Sequence, residues 1–146
     1  MNTEINIGKI SNVKIWITDN HMAENQWSAI KKFLLIKIKT SDGVEGWGEA
    51  FTINLREKAT VNLIAELSQE ISNIENLTLK SFYQKIFILS DGHRGLDFCA
   101  ATSAIEIALW DITGKIKNLP LNSLLTNKPK LNVSIYATCW SSLRKN

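Results

Sequence analysis

Cysteine is scarce in this 146-residue sequence. Cys99 and Cys139 lie too far apart for a close-spaced metal or redox motif, and read as free thiols in a reducing compartment. Histidine is equally scarce. His21 and His93 are too few and too widely separated to suggest a metal site, and a lone histidine in a polar loop is ordinarily solvated. No hydrophobic run approaches the ~20 residues of a membrane-spanning helix. The opening MNTEINIGK has no apolar core of a secretory signal, so a cytoplasmic location is expected and the sequons at Asn76 and Asn132 carry no weight. An excess of one charge is also lacking. Seventeen Lys and Arg stand against fourteen Asp and Glu, a net charge of +3. The lysines are scattered singly or in pairs, with no basic stripe, which argues against nucleic-acid and membrane partners. There is no internal repeat and no low-complexity segment.

What is present is an ordinary globular composition, 45% hydrophobic and 21% charged. A chain of this length is enough for one domain that buries roughly 70% of its unfolded surface. Residues 7–18 are rich in β-branched side chains. Val13, Ile15 and Ile17 alternate with Lys14, Trp16 and Thr18, the period-two signature of a half-buried strand. Residues 19–29, DNHMAENQWSA, lose that alternation and read as an irregular polar loop. Strand character returns over residues 30–40, with Leu34, Ile36 and Ile38 on one face and Lys37 and Lys39 on the other.

Ser41-Asp42-Gly43 reads as a three-residue turn with Gly43 in the left-handed conformation. That turn sets Thr40 opposite Val44, Lys39 opposite Glu45 and Lys37 opposite Trp47. Ile38 and Ile36 then face Gly46 and Gly48. A two-residue turn would lose the Lys39–Glu45 pair, so the three-residue register is preferred. In it, both glycines of GVEGWGEAF fall on the apolar face, where a covering layer must approach closely. The alternative, a dinucleotide-binding Gly-x-Gly-x-x-Gly, fails because position 51 is Phe51 and no helix opens there.

Helical periodicity follows. Leu63, Ile64, Leu67, Ile71 and Ile74 recur over residues 55–74, with Lys58, Glu66 and Glu70 outside. Phe82, Ile86 and Leu89 form a stripe over residues 79–89. After the loop SDGHRGLD, Asp97 is the expected cap of a third helix over residues 98–117, with Ala101, Ile105, Ala108 and Ile112 inward. Asn118-Leu119-Pro120 ends it, and PLNSLL adds a short turn. Val133, Ile135 and Ala137 then alternate with Ser134, Tyr136 and Thr138, so a fourth strand is expected over residues 133–139.

Three stretches, DGVEGWGEA (42–50), AATSAIEIALWDITGKIKNLPLNSLL (100–125) and VSIYAT (133–138), carry a family resemblance. The second is the most specific: Ala104 to Lys115 follow the pattern Ala-Ile-[Asp/Glu]-Ile-Ala-Leu-Trp-Asp-x-x-Gly-Lys. The chain resembles the N-terminal capping domain of the mandelate racemase and muconate-lactonizing branch of the enolase superfamily. Thr126-Asn127 replace the family's usual Gly-Gly before the barrel. The resemblance implies an α+β fold, a three-stranded antiparallel meander followed by a three-helix bundle. It places this cap at residues 1–128, and a hinge with the first strand of a (β/α)7β barrel at 129–146.

By the same resemblance, the intact enzyme removes a proton α to a carboxylate and holds the enediolate on Mg²⁺. The metal ligands and bases lie on later barrel strands, so neither catalytic nor metal-binding residues are expected in this chain. Lys37-Ile38-Lys39 has Lys-x-Lys spacing but belongs to the hairpin, where it reads as a solvated strand face. Glu106 and Asp111 lie about 140° apart on a helix and read as ion-pair partners of lysine or arginine, not as a catalytic pair.

The resemblance also implies that the cap contributes a lid of two loops, here residues 18–29 and about 50–56, which exclude water and set specificity. Within them His21, Trp27, Phe51, Thr52 and Arg56 are the candidate substrate contacts. Trp27 and Phe51 are equally well read as packing residues. Arg56 either pairs with a helix carboxylate or grips a substrate carboxylate. The implied partners are a C-terminal barrel, a carboxylate or acid-sugar substrate, and further copies in a homo-oligomer. Acid-sugar dehydration is the expected reaction. Racemisation, epimerisation, cycloisomerisation, or a detached cap acting as a non-catalytic binding module are the alternatives.

Overall fold

Alternating β-branched and polar residues build three strands, β1 (Ile10–Thr18), β2 (Phe33–Thr40) and β3 (Glu45–Ala50), in an antiparallel sheet of order β1-β2-β3. Among the described residues four helices follow: α1 (Glu57–Ser72), α2 (Leu79–Ser90), α3 (Leu96–Lys117) and the single-turn α4 (Leu121–Leu125). The computed structural model describes residues 3–18, 32–130 and 132–136.

The β2–β3 hairpin has the register that its turn chemistry dictates. Gly43 sits at φ +86°, its N–H donates to the Thr40 carbonyl over 3.0 Å, and Thr40 N–H donates to the Val44 carbonyl over 2.9 Å. Lys39 faces Glu45, Lys37 faces Trp47, Ile38 faces Gly46 and Ile36 faces Gly48. β1 starts three residues later than the alternation suggests. Gly8, at φ +85°, turns the chain and makes an isolated bridge with Leu77, after which Ser11 bulges out of the β1–β2 ladder. The Ser11 hydroxyl lies within hydrogen-bonding distance of the Lys39 and Thr40 carbonyls, at 3.1 and 3.0 Å.

Leu34, Ile36, Ile38 and Ala50 form the buried face of the sheet, and α3 lies across it with Ala101, Ala104, Ile105, Ala108 and Ile112 inward. α1 packs its Ile64, Leu67 and Ile71 into the same core. Each fully buried aliphatic side chain contributes roughly 2 kcal/mol of transfer free energy. α2 is started by a capping box, in which Thr78 Oγ1 accepts from Ser81 N–H and Ser81 Oγ accepts from Thr78 N–H.

α3 departs from expectation at its start. It begins at Leu96 with Gly95 as N-cap, and Asp97 lies in the first turn without capping it. Its carboxylate instead faces Arg56 at 3.5 Å, and still suits the positive end of the helix dipole. At the other end Asn118 takes the left-handed conformation, φ +51°, and Leu119 N–H returns to the Gly114 carbonyl over 3.0 Å. Residues 132–136 carry no strand pairing, and Ile135 and Tyr136 are 92% exposed. The rest of the expected fourth strand lies outside the described residues.

Candidate functional site

The site is built on the close contact between β3 and α3. A Cβ added to Gly48 would lie 2.0 Å from the Ala104 carbonyl oxygen, and one added to Gly46 would lie 2.2 Å from that of Ala108. These are backbone atoms, which cannot swing aside, so only glycine lets the helix seat this deeply. The alanines complete the fit from the helix side.

Side chains then lock the contact. β3 is a sheet edge, so alternate backbone groups point away from β2. Trp47 N–H donates to Asp111 Oδ2 over 2.9 Å, and Lys115 Nζ donates to the Glu45 carbonyl over 2.7 Å. Asp111 and Lys115 also pair with each other at 2.8 Å. The Trp-Asp-x-x-Gly-Lys segment thus closes the edge of the sheet, while Gly114 leaves room for the returning Leu119 carbonyl.

Beyond Ala50 the chain enters the loop over residues 51–56. Phe51 is 58% exposed and Leu55 is 90% exposed, the latter at φ +70°, an unusual conformation for a branched side chain. Arg56 N–H closes a turn onto the Ile53 carbonyl at 2.9 Å, and Arg56 occupies the N-cap position of α1. Its guanidinium pairs with Asp97, tying the loop to the start of α3. A recess of about 300 Å³ lies beside the loop, lined by Lys32, Glu49, Ala50, Phe51, Thr52, Ser103 and Ile107.

Of the five lid candidates, the structure brings Phe51 and Thr52 to this recess and gives Arg56 a carboxylate partner at the loop's far end. His21 and Trp27 lie outside the described residues. Thr52 Oγ1 is 3.4 Å from the Ile53 carbonyl, a long contact. Phe51 is exposed and does not join the core. His93 is exposed, with Nδ1 2.7 Å from the Asp91 carbonyl oxygen. Lys37 and Lys39 both reach Glu45, at 3.0 and 3.9 Å, and the Lys37 ammonium holds the Glu45 carboxyl below the usual carboxylate range.

Three groups escape a reading of the sequence. Glu57 opens α1 yet is buried, and its Oε1 has no hydrogen-bond partner among the described residues. Glu106 does not pair with a cation as expected, but accepts from the Tyr83 hydroxyl over 2.7 Å, joining α2 to α3. Burial and that bond push the Tyr83 phenol up to about 12. Trp16 and Trp47 stack at 5.3 Å on the outer face of the sheet, with the Lys37 ammonium 5.5 Å from the Trp47 ring. Strand alternation puts all three residues on that face, but only the register makes them neighbours.

Among the described residues no group of three or more His, Cys, Asp or Glu side chains is placed to hold a metal ion, and no helix is long and apolar enough to cross a membrane. The arrangement presents a small recess of mixed polarity, lined by two hydroxyls (Thr52 and Ser103), a carboxylate (Glu49), an ammonium (Lys32) and the apolar Ala50, Phe51 and Ile107.

The model of the mandelate racemase / muconate lactonizing enzyme N-terminal domain matches residues 12–126. The crystal structure of an enolase from Sargasso Sea environmental sequencing is 70% identical, with a TM-score of 0.89 over 98% of this chain and 38% of its own. The D-gluconate/D-galactonate dehydratase of Picrophilus torridus is 33% identical over 120 residues, which is 80% of this chain and 29% of that protein. The 3,6-anhydro-D-galactonate cycloisomerase of Zobellia galactanivorans is 28% identical at a TM-score of 0.67, over 80% of this chain and 31% of its own. The chain therefore spans about a third of the length of these relatives.

Proposed function

Because the chain belongs to the mandelate racemase/muconate lactonizing enzyme family, we propose that it is the cap of an enzyme that removes a proton α to a carboxylate, and that the substrate is an acid sugar undergoing dehydration. The observation that carries the reaction class is the 33% identity with a gluconate/galactonate dehydratase over 120 residues. Residues 1–128 form the cap, and residues 129–146 lead into a C-terminal barrel.

In this reading the loop over residues 51–56 is one half of the lid. Phe51 and Thr52 face the substrate across the recess, one excluding water and the other offering a hydroxyl. The loop is held from behind: the glycine cradle fixes the end of β3, and Arg56–Asp97 fixes the start of α1. His21 and Trp27 belong to the other half. The family's Mg²⁺ does not fit the described residues, which gather no oxygen-ligand cluster. Metal and bases are assigned to the barrel, and the cap orients and encloses.

A second reading, cycloisomerisation, is favoured by the Zobellia relative. The two are separated by joining this chain to the remainder of the Sargasso Sea relative and assaying D-galactonate, D-gluconate and D-mannonate with Mg²⁺. Formation of 2-keto-3-deoxy acids, abolished by EDTA, is the expected result. Conversion of 3,6-anhydro-D-galactonate, assayed alongside, into an isomer, or epimerised aldonates, with no loss of water would replace dehydration by the alternative chemistry.

A further inference from the structure

α3 runs along the free edge of β3, and one helical turn, about 5.4 Å, roughly keeps pace with two strand residues, about 6.7 Å. Lys115 therefore meets Glu45 and Asp111 meets Trp47, each bonding a main-chain group that points away from β2. The ladder alternates, so the next groups on that side are the N–H and C=O of Glu49. Glu49 faces Leu35 in the same phase as Trp47 faces Lys37. One turn back from Asp111 stands Ile107, whose side chain has no polar atom to offer them. Among the described residues the Glu49 main chain makes no hydrogen bond to α3. The edge of β3 is thus closed at two positions and open at the third, where the recess of about 300 Å³ lies. The side chains there are also uncommitted. Thr102 and Thr113 bond back to carbonyls of their own helix, at 3.0 and 2.7 Å, but neighbouring Ser103 makes no such bond. Glu49 is exposed and has no ion pair among the described residues, whereas Lys32, the cation of the lining, is not free.

We infer that this open end of β3 is a subsite for the hydroxylated tail of an acid sugar with a single carboxylate, and that Glu49 and Ser103 set specificity there. The inference rests on the proposed acid-sugar reading and deepens it by stating which end of the substrate the cap holds. A hydroxyl donates and accepts, so neighbouring hydroxyls satisfy an N–H and a C=O side by side, whereas a carboxylate only accepts. The Ser103 and Thr52 hydroxyls adapt to either role, and Phe51 supplies an apolar wall for the C–H faces of the chain. The Glu49 carboxylate accepts from further hydroxyls but repels a second carboxylate. The substrate carboxylate therefore points away from the cap. A sugar diacid, with a carboxylate at both ends, is disfavoured whichever way round it enters.

The test compares D-galactonate with galactarate, which carries a second carboxylate in place of the terminal alcohol. The chain joined to the remainder of the Sargasso Sea relative is assayed with Mg²⁺, and Kd is measured by calorimetry on the same samples, so the test does not depend on turnover. The unsubstituted protein is expected to favour galactonate about tenfold or more in Kd and, where it turns over, in kcat/KM. Glu49→Gln keeps the shape and removes the charge; it is expected to shrink that preference about tenfold, chiefly through tighter galactarate binding, at an unchanged melting temperature. Glu49→Asp is expected to retain the preference. Ser103→Ala is expected to weaken galactonate binding about fivefold with kcat little changed. An equal preference in Glu49→Gln and the unsubstituted protein overturns the inference. So does a protein that binds neither acid, or one that favours galactarate, which would give the recess to Lys32. Unchanged galactonate binding in Ser103→Ala overturns the part assigned to Ser103. Galactonate bound with the expected preference but never dehydrated would leave the subsite standing and remove the proposed reaction.

Discussion

The Trp47 backbone N–H donates to Asp111 Oδ2 across 2.9 Å, so a helix carboxylate occupies the place that the carbonyl of a fourth strand would take. With Lys115 on the Glu45 carbonyl, the edge of β3 is closed by two side chains one helical turn apart. Asp111→Ala removes a charge-assisted bond and uncovers that edge. The expected loss is about 1–2 kcal/mol in urea unfolding, the low side of the range for bonds to charged groups because the pair is partly exposed. Self-association in sedimentation is expected to rise as well. Asp111→Asn keeps an acceptor for Trp47 and is expected to lose less on both counts.

The glycine cradle gives a sharper result. Gly48→Ala places a methyl 2.0 Å from the Ala104 carbonyl oxygen, against backbone that cannot rotate away. Destabilisation of about 3 kcal/mol is expected, the upper part of the usual overpacking range. Gly43→Ala has open space around its Cβ but a φ of +86°, so it is expected to cost only about 1 kcal/mol, from backbone strain alone. Chemical denaturation of the two variants checks the order.

How far these contacts could be read from sequence differs by element. The β2–β3 register was legible because Gly43 fixes the turn and Lys39 opposes Glu45 in only one of the two alignments. That Gly46 and Gly48 face a covering layer was legible from the same register. That the layer is the Ala104 and Ala108 carbonyls was not, because it depends on where α3 lies on the sheet. Asp111 and Lys115, four apart on a helix, look like any solvated ion pair until β3 is placed beside them. Asp97 had the composition of an N-cap, but Gly95 two residues earlier took that role and left Asp97 for Arg56. Glu57 gave no signal of its burial, since glutamate in a first helical turn is ordinarily solvated.

Tyr83 sets an alkaline limit. Its phenol is raised to about 12 by burial and by the bond to Glu106, whereas an unfolded tyrosine ionises near ~10. The folded state therefore holds this proton more tightly. Its contribution to stability is complete below pH ~10 and is lost as pH rises towards about 12. An absorbance titration should show a late tyrosinate component that disappears, together with that part of the alkaline loss of stability, in Tyr83→Phe.

Arg56 separates a structural role from a functional one. Its pair with Asp97 is 3.5 Å long and half-exposed, so Arg56→Ala is expected to cost under about 1 kcal/mol. In the joined enzyme, a rise in KM with little change in melting temperature would assign the guanidinium to the substrate. Unchanged kinetics would leave it as the tie between the lid loop and α3.

The claim that this chain encloses but does not perform the reaction is tested most directly on the chain itself. The purified 146-residue protein, incubated with Mg²⁺ and each acid sugar, is expected to give no 2-keto-3-deoxy product above the enzyme-free rate, with or without EDTA. Turnover that survives repurification and is abolished by EDTA would contradict it, and would place a metal site within these 146 residues.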